Sequence, residues 1–364
     1  MRLPDLFPDP ATAAPVTLGA QADITYHEVP AGRMLNTPAA TGMGYWSVNP
    51  YVGCAFGCAY CYARDAHRYA VERRGGTVDP GAAAGGTPLP AWLAFERRIL
   101  VKAGARGALR RALGSAGRPR GPAPGETVVV GTATDPYQPA ERRFQVTRGV
   151  LEALAERPGV RVVVITKSPL VTRDAAVLAR IAERGAASVH LTITTVDREL
   201  ARRLEPRAPT PEARLRALAR LRAVGVNAGV NVMPILPGIT DAPEALAQLV
   251  ERIAAAGATF AGACALRLRP TARARYLAVI DAEFPQLAAR YRRAYGGGHQ
   301  VGRRYRDGLA RAFARLCAAH GVPLWGRTRE ELPESRAGGA DAGAGRGAVR
   351  VAVPAPAGQL LLEL

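Results

Sequence analysis

The sequence predicts an α/β protein built on a partial (β/α)6 barrel. Six short apolar runs, several of them rich in β-branched residues, alternate with segments that have the apolar period of helices. Continuous apolar runs are typical of parallel strands that helices bury on both faces. Six strands are too few to close an eight-stranded barrel. An open doubly wound sheet is the alternative, and either fold places functional residues on the loops after the strands.

The elements follow from these runs in chain order. The predicted strands are Tyr45 to Val48, Thr127 to Val130, Val160 to Thr166, Ser188 to Thr194, Val226 to Met233 and Thr259 to Leu266. The predicted helices are Asp65 to Arg74, Trp92 to Leu113 with an interruption near Gly104 or Gly107, Arg142 to Glu156, Arg173 to Arg184, Asp197 to Leu204, Pro211 to Val224, Pro243 to Ala256, Thr271 to Arg293 and Val301 to His320.

The composition divides the chain into four predicted regions. Residues 1–44 are rich in Pro, Ala, Gly and Thr without sustained periodicity, and we expect an irregular N-terminal extension. Residues 45–270 form the predicted barrel, and residues 271–332 a helical C-terminal extension. Residues 333–364 are a Gly/Ala/Pro-rich segment with little to bury, which predicts a flexible tail.

The composition also limits the compartment and the partners. The sequence contains no apolar run of about 18 residues and no visible export signal, so we expect a cytoplasmic protein without a membrane span. A net charge of +19 suggests an anionic partner such as nucleic acid. Only Lys102 and Lys167 are lysine, however, which indicates a general bias toward arginine. Nucleic-acid binding and solvated basic helix faces therefore both stay open.

Three of the five cysteines lie within eight residues. Cys54, Cys58 and Cys61 have the spacing C-x3-C-x2-C, which suits three thiolates on one iron–sulfur cluster. Such clusters normally have four cysteine ligands, so three would leave one iron open to another ligand. A zinc knuckle that uses His67 as its fourth ligand is the alternative. A disulfide is disfavoured because three close cysteines leave one over and the chain lacks secretory features.

The residues around these cysteines resemble the radical S-adenosylmethionine (radical SAM) superfamily. The resemblance rests on Asn49 to Cys54, on Tyr60 before Cys61, and on Cys61 to Arg64, which together resemble the branch related to spore photoproduct lyase. It implies a [4Fe-4S] cluster on the three cysteines, with the amino and carboxylate groups of S-adenosylmethionine on the open iron. An external electron donor of flavodoxin or ferredoxin type would reduce the cluster. Reductive cleavage of the sulfonium would then give a 5'-deoxyadenosyl radical that takes a hydrogen atom from a substrate.

Polar residues at the strand ends are candidates for binding S-adenosylmethionine. The loop Gly131 to Glu141 follows the second strand, and its Thr132, Thr134 and Asp135 suit an ammonium group and a ribose. In the family that the chain resembles, this segment lies over the cluster, and Tyr60 is included in the same binding set. A helix cap at Asp135 or Glu141 is the alternative.

Further candidates follow the third, fourth and fifth strands. Lysine is rare in this chain, so Lys167 at a strand end suggests a need for a compact ammonium. The resemblance implies that Lys167 pairs with the carboxylate of S-adenosylmethionine. Thr192 and Thr194 could meet the ribose, although threonine is also a good strand former. Asn231 could reach the adenine or the cofactor backbone.

The remaining cysteines bear on the reaction. Spore photoproduct lyase uses an additional cysteine after the cluster motif, whereas this chain has none between Cys61 and Cys264. We expect Cys264 and Cys317 to be core residues, with a barrel-facing Cys264 as the alternative. Photoproduct lyase activity is therefore not expected. Two other functions stay open: a nucleic-acid-binding protein with a structural metal site, and a cluster-based redox sensor.

Overall fold

The computed structural model describes residues 16–65, 88–115 and 117–325. Its main feature is a seven-stranded sheet in which six strands are parallel and one short edge strand is antiparallel. The described strands are β1 Val16–Gln21, β2 Ile24–Pro30, β3 Leu35–Asn36, β4 Trp46–Val48, β5 Tyr51–Val52, β6 Arg98–Ala103, β7 Gly114–Ser115, β8 Arg118–Pro119, β9 Thr127–Val130, β10 Arg161–Thr166, β11 Ala186–Thr192, β12 Asn227–Ile235 and β13 Ala261–Ala265.

The six predicted parallel strands are confirmed. In the sheet order β13-β12-β11-β10-β9-β4-β3, the parallel strands lie side by side in chain order. In a doubly wound sheet, the order of the strands would instead reverse part-way through the chain. The valines of β9 and β10 are buried almost completely, because helices cover the sheet and keep water from its faces. The chain is therefore a mixed α/β protein with a parallel sheet.

Helices connect the parallel strands. The described helices are α1 Pro38–Thr41, α2 Ala91–Arg97, α3 Ala105–Leu113, α4 Ala140–Phe144, α5 Val146–Ala155, α6 Ala175–Arg184, α7 Arg198–Leu204, α8 Pro211–Ala223, α9 Pro243–Ala255, α10 Pro270–Glu283, α11 Ala288–Gly296 and α12 Arg303–Ala319. Several begin at a predicted boundary with a capping side chain. Thr210, for example, accepts a hydrogen bond from the Ala213 amide at 3.3 Å, and Pro211 follows it at the first helical position.

A second sheet of four strands, in the order β1-β2-β6-β5, corrects two expectations. Residues 16–30 were expected to be irregular, but they form an antiparallel pair of strands. The predicted helix from Trp92 to Leu113 is interrupted by β6, which pairs with β2 and β5. Ile99, Leu100 and Val101 of β6 are buried. Pairing with strands distant in sequence therefore overrides the helical preference of the flanking residues.

The C-terminal helices also differ from the prediction. Thr271 to Arg293 is not one helix, because α10 ends at Glu283 and the next residue, Phe284, has a non-helical backbone and precedes Pro285. A residue before proline is disfavoured in the helical conformation. Most of the predicted helix from Asp65 to Arg74, residues 1–15 and the tail at 333–364 lie outside the described residues.

The helices were compared with the requirements of a membrane span. Among the residues that the structure describes, no helix combines the length and the apolar character that a bilayer span needs.

Candidate active site

The candidate site is built on the segment Gly53 to Arg64, here called the cysteine loop. Gly53 and Gly57 have φ values of +85° and +65°, which side chains other than glycine rarely adopt. A Cβ atom on Gly53 would lie 2.8 Å from the Phe95 carbonyl oxygen. That carbonyl accepts a hydrogen bond from the Cys54 amide at 2.9 Å. Glycine at position 53 therefore lets the loop pass directly against α2.

The three thiols of the loop lie close enough to interact electrostatically, because Cys58 and Cys61 both contribute to the raised pKa of Cys54. Cys54 and Cys58 are buried, and Cys61 is partly buried. Burial raises the pKa of the Cys54 thiol well above its usual value, and the neighbouring Asp135, Cys61 and Cys58 raise it further. Burial likewise raises the pKa of Cys58 to about 12, although Lys167 opposes the rise. The thiols of Cys54 and Cys58 are therefore protonated at neutral pH unless a metal displaces the protons.

The cysteine loop offers three thiols as possible metal ligands. Among the described residues, no three His, Cys, Asp or Glu side chains converge closely enough to bind one metal ion. A structural zinc site needs such convergence, whereas the thiolates of a cubane bind different irons. The zinc alternative also invoked His67, which lies outside the described residues. The three thiols of the loop, two of them buried, match in number the cysteine ligands that the sequence predicts for a [4Fe-4S] cluster.

The loop after β9 lies against the cysteine loop and holds its backbone. Thr134 Oγ1 donates a hydrogen bond to the Gly53 carbonyl oxygen at 2.5 Å. Gln138 Nε2 donates to the same oxygen at 3.1 Å, and Gln138 Oε1 accepts from the Ala55 amide at 2.8 Å. Gln138 is completely buried. Its amide therefore fixes the chain on both sides of Cys54.

The other two candidates in this loop also bond within the protein. Thr132 Oγ1 lies 3.1 Å from Asn49 Nδ2, just before the cysteine loop. Asp135 accepts hydrogen bonds from Thr166 Oγ1 at 2.6 Å and from the Lys167 amide at 2.7 Å. Burial raises the pKa of Asp135, although these hydrogen bonds oppose the rise. Asp135 thus joins the loop after β9 to the end of β10.

A buried charge network adjoins Cys58. The Lys167 ammonium lies 4.0 Å from Glu205 Oε1 and 5.5 Å from the centre of the Tyr60 ring. The Tyr60 hydroxyl donates a hydrogen bond to Glu205, and Arg214 forms an ion pair with the same carboxylate. Although burial opposes the effect, Arg214 and Lys167 hold the pKa of Glu205 below its usual value. Within this network one carboxylate meets two cations, while a second carboxylate, Asp135, lies near Cys54.

The candidate residues in and just after β11 and in β12 differ in their surroundings. Thr194 Oγ1 donates to Glu205 at 3.2 Å, so it belongs to the same network as Tyr60 and Lys167. Thr192 is buried, and its carbonyl oxygen accepts a hydrogen bond from Arg214 at 2.9 Å. Asn231 Oδ1 lies 3.2 Å from His190 Nδ1 and is therefore oriented by a neighbouring strand.

Sequence reasoning missed Glu205 and Arg214, and it assigned no role to Gln138 or Asn49. Arg214 carried a signal that could have been used, because it lies on the apolar stripe of α8 with Leu215 and Leu218. A charged residue at a core position needs a buried partner, and Glu205 is that partner. Glu205 could not be identified from its neighbours in the sequence, because its partners Tyr60 and Lys167 are distant along the chain.

The two remaining cysteines differ. Cys317 of α12 is fully buried, as expected for a core residue. Cys264 of β13 is only partly buried, which corrects the expectation of a core position.

Comparison with known proteins assigns the family. The model of the radical SAM superfamily matches residues 117–250. An uncharacterised protein of Mycobacterium tuberculosis is 35% identical over 316 residues, which is 86% of each chain. The chain belongs to the radical SAM superfamily. An uncharacterised protein of Methanocaldococcus jannaschii is 25% identical over 216 residues, or 59% of this radical SAM chain and 69% of its own.

Solved structures agree with the fold of this radical SAM protein. Spore photoproduct lyase complexed with dinucleoside spore photoproduct matches with a TM-score of 0.58 and 15% identity. The match covers 82% of this chain and 81% of the lyase chain. A mutant of spore photoproduct lyase gives a TM-score of 0.57 at 14% identity, over 82% of this chain and 80% of its own. At such identities the likeness concerns the fold alone.

Proposed function

We propose that this protein is a radical SAM enzyme with a partial (β/α)6 barrel and a [4Fe-4S] cluster on Cys54, Cys58 and Cys61. The observation that carries the proposal is the set of three cysteines in one loop, two of them buried, with the partly buried Lys167 near Cys58. When bound, the cluster and S-adenosylmethionine supply a 5'-deoxyadenosyl radical that takes a hydrogen atom from the substrate. Family membership supports this chemistry.

Lys167 is the residue that we assign to the carboxylate of S-adenosylmethionine. Its nearest carboxylate among the described residues is Glu205, at 4.0 Å, which is too far for a hydrogen bond. The ammonium therefore keeps its donors for a ligand. Although burial opposes the effect, Cys58 and Glu205 hold the pKa of Lys167 above its usual value. Tyr60 and Thr194 bond to Glu205 and so help to fix its position.

The roles of the other predicted cofactor-binding residues stay predictions, and for three of these residues we modify the role. Thr132, Thr134 and Asp135 have protein partners for their side chains, so we assign them to positioning the cysteine loop as well as lining the site. Thr192 and Asn231 are proposed to line the ribose and adenine side. A flavodoxin- or ferredoxin-type donor is proposed as the source of electrons. Nucleic acid is proposed as the substrate class, with the net charge of +19 as support.

The test is anaerobic reconstitution with iron and sulfide, followed by reduction with dithionite in the presence of S-adenosylmethionine. The wild-type protein is expected to show a cluster absorption band and to form 5'-deoxyadenosine. Cys58→Ala is expected to form none, because it removes a thiolate from the site. Cys317→Ala removes a buried cysteine outside the site and is the matched control, which should retain activity.

Three results would overturn the proposal. Bound zinc without a cluster would favour a binding protein with a structural metal site. A stable cluster that never yields 5'-deoxyadenosine would favour a redox sensor. Equal loss of product in the Cys58→Ala and Cys317→Ala variants would show that the cysteine loop has no special role.

A further inference from the structure

Four arginines gather beside the cysteine loop. Arg64 and Arg207 form ion pairs with the buried Glu96, Arg275 interacts with Glu96 as well, and Arg97 lies near Arg207 and Arg275. These four residues are here called the arginine cluster. The members come from the end of the loop, from α2, from the segment after α7 and from α10. Tertiary folding therefore brings like charges together at one place.

Two members bind the backbone of the cysteine loop. Arg64 is fully buried and donates hydrogen bonds to the Cys58 carbonyl oxygen at 2.9 Å and to Glu96 at 3.0 Å. Arg207 Nε donates to the Ala55 carbonyl oxygen at 2.5 Å. A ligand of the arginine cluster would therefore contact the groups that hold the cofactor loop.

The other two members make fewer contacts with the protein. Arg97 forms an ion pair with Asp23. Arg275 stacks on the Trp92 ring, with its guanidinium carbon 5.2 Å from the ring centre. Among the described residues, Arg275 has no carboxylate within salt-bridge distance. Counting only residues that the structure describes, four guanidinium groups against Glu96 and Asp23 leave an excess of two positive charges.

Buried donors in the arginine cluster lack acceptors. Within residues 16–65, 88–115 and 117–325, six buried side-chain nitrogens or oxygens have no hydrogen-bond partner, and four of them belong to this cluster. These four are Nε of Arg64, Nε of Arg97, Nε of Arg275 and Nη2 of Arg207, the last of which lies 3.4 Å from Glu96 Oε2 without forming a hydrogen bond. Buried N–H groups without acceptors are costly and rare in folded proteins, so their concentration at one place indicates a missing acceptor.

The positive charges of the arginine cluster repel one another, as their proximity implies. Burial lowers the pKa of Arg97, and Arg207 and Arg275 lower it further. Burial also lowers the pKa of Arg275, and Arg64 and Arg207 lower it further, although Glu96 opposes the change. An anion placed among the four guanidinium groups would relieve this repulsion.

We propose that the arginine cluster is a binding site for a phosphate group. Guanidinium groups present planar forks of N–H donors that match phosphate oxygens. A phosphate dianion would balance the excess of two positive charges and would provide acceptors for the unpartnered donors. The proposal goes beyond the radical chemistry, since it concerns a second site beside the cysteine loop and does not require a bound cluster cofactor.

The experiment is calorimetric titration of the reconstituted full-length protein with inorganic phosphate in dilute chloride buffer. The wild-type protein is expected to bind one phosphate per chain. Arg275→Gln should weaken binding about tenfold or more, since it removes a charge-assisted donor without removing a hydrogen bond to the loop. The matched control is Arg203→Gln, which removes an arginine that pairs with Glu283 away from the cluster and should leave the affinity unchanged.

Glu96→Gln separates ligand binding from a purely structural role. The variant removes the negative charge that competes with phosphate, so phosphate affinity should rise while thermal stability falls. A structural role alone would lower stability in both the Arg275→Gln and Glu96→Gln variants without opposite effects on affinity. Should Glu96→Gln fail to fold, the comparison of Arg275→Gln with Arg203→Gln still decides.

A second titration with adenosine monophosphate identifies the source of the phosphate. Tighter binding than inorganic phosphate would support a nucleotide-type ligand, and equal binding would support a site for the phosphate group alone. The proposal is overturned if the wild-type protein shows no saturable binding, or if Arg203→Gln weakens binding as much as Arg275→Gln. The titrations use neither reductant nor S-adenosylmethionine, so their failure would leave the radical SAM proposal standing.

Discussion

At the scale of single residues, Glu205 joins the groups beside the thiols. Its carboxylate contacts Tyr60, Thr194, Lys167 and Arg214, although these residues lie on different elements. Two of them are cations that could not remain charged in a buried site without a counter-charge. Glu205 therefore sets both the charge and the geometry of the proposed cofactor site.

Replacement of Glu205 should be much more costly than loss of a single hydrogen bond. Glu205→Gln leaves Arg214 and Lys167 buried without a carboxylate, and we expect a loss of about 3–5 kcal/mol in the free energy of unfolding. Thr194→Val removes only one hydrogen bond to Glu205 and should cost about 1 kcal/mol. Urea denaturation of both variants measures the difference. Equal losses would contradict the view of Glu205 as the shared counter-charge.

At the scale of elements, the cysteine loop is held by contacts from separate parts of the chain. The loop after β9 binds the backbone around Cys54, and the end of α2 accepts the Cys54 amide. The last residue of α7, Leu204, accepts the Ala59 amide at 2.9 Å. The loop has almost no regular structure of its own, so these contacts determine its shape.

The contact of Gly53 with α2 can be tested with a matched pair of glycines. Gly53→Ala places a methyl group 2.8 Å from a backbone oxygen, whereas Gly44 has a similar φ of +70° and open space around it. Both variants should lose about 1 kcal/mol of stability from backbone strain. Only Gly53→Ala should also bind severalfold less iron and sulfide per chain after reconstitution. Equal iron content in the two variants would contradict this role of α2.

At the scale of the whole molecule, the parallel sheet buries a histidine in its interior. His190 of β11 lies against Asn231 and packs on the rings of Phe260 and Trp325, with centres 4.4 Å and 4.1 Å away. Burial lowers the pKa of His190 to about 4, although Asn231 opposes the shift. The neutral imidazole therefore links β11 to β12 and to the aromatic rings that flank β13.

Stability should fall in acid for this reason. An unfolded chain takes up a proton on His190 near pH 6.5, whereas the native protein accepts it only near pH 4. Lowering the pH from 7 to about 4.5 should therefore cost about 2 kcal/mol of unfolding free energy through this residue. His190→Gln cannot take up the proton and should lose that much less over the same range. Parallel pH profiles from denaturant titrations check the difference, and identical profiles would contradict the assignment.

The strands of the parallel sheet could be predicted because each is a local pattern. Val128 to Val130 and Val162 to Val164 form apolar β-branched runs, and burial on both faces requires such runs. The cysteine spacing is local in the same sense. By contrast, β6 depends on pairing with β2, about 70 residues away along the chain. The helices on either side of β6 resemble it in composition, so composition alone does not distinguish the strand. The Glu205 network likewise joins residues whose proximity only the folded sheet creates.

The order in which the cysteine loop acquires its partners has a consequence for biosynthesis. The loop emerges from the ribosome early, but its supports at Gln138, Leu204 and Arg207 are synthesised much later. A nascent chain that ends before Arg207 therefore presents the three thiols on an unsupported segment. If the loop takes up iron and sulfide as proposed, their delivery into the shape described above would have to follow translation of Arg207.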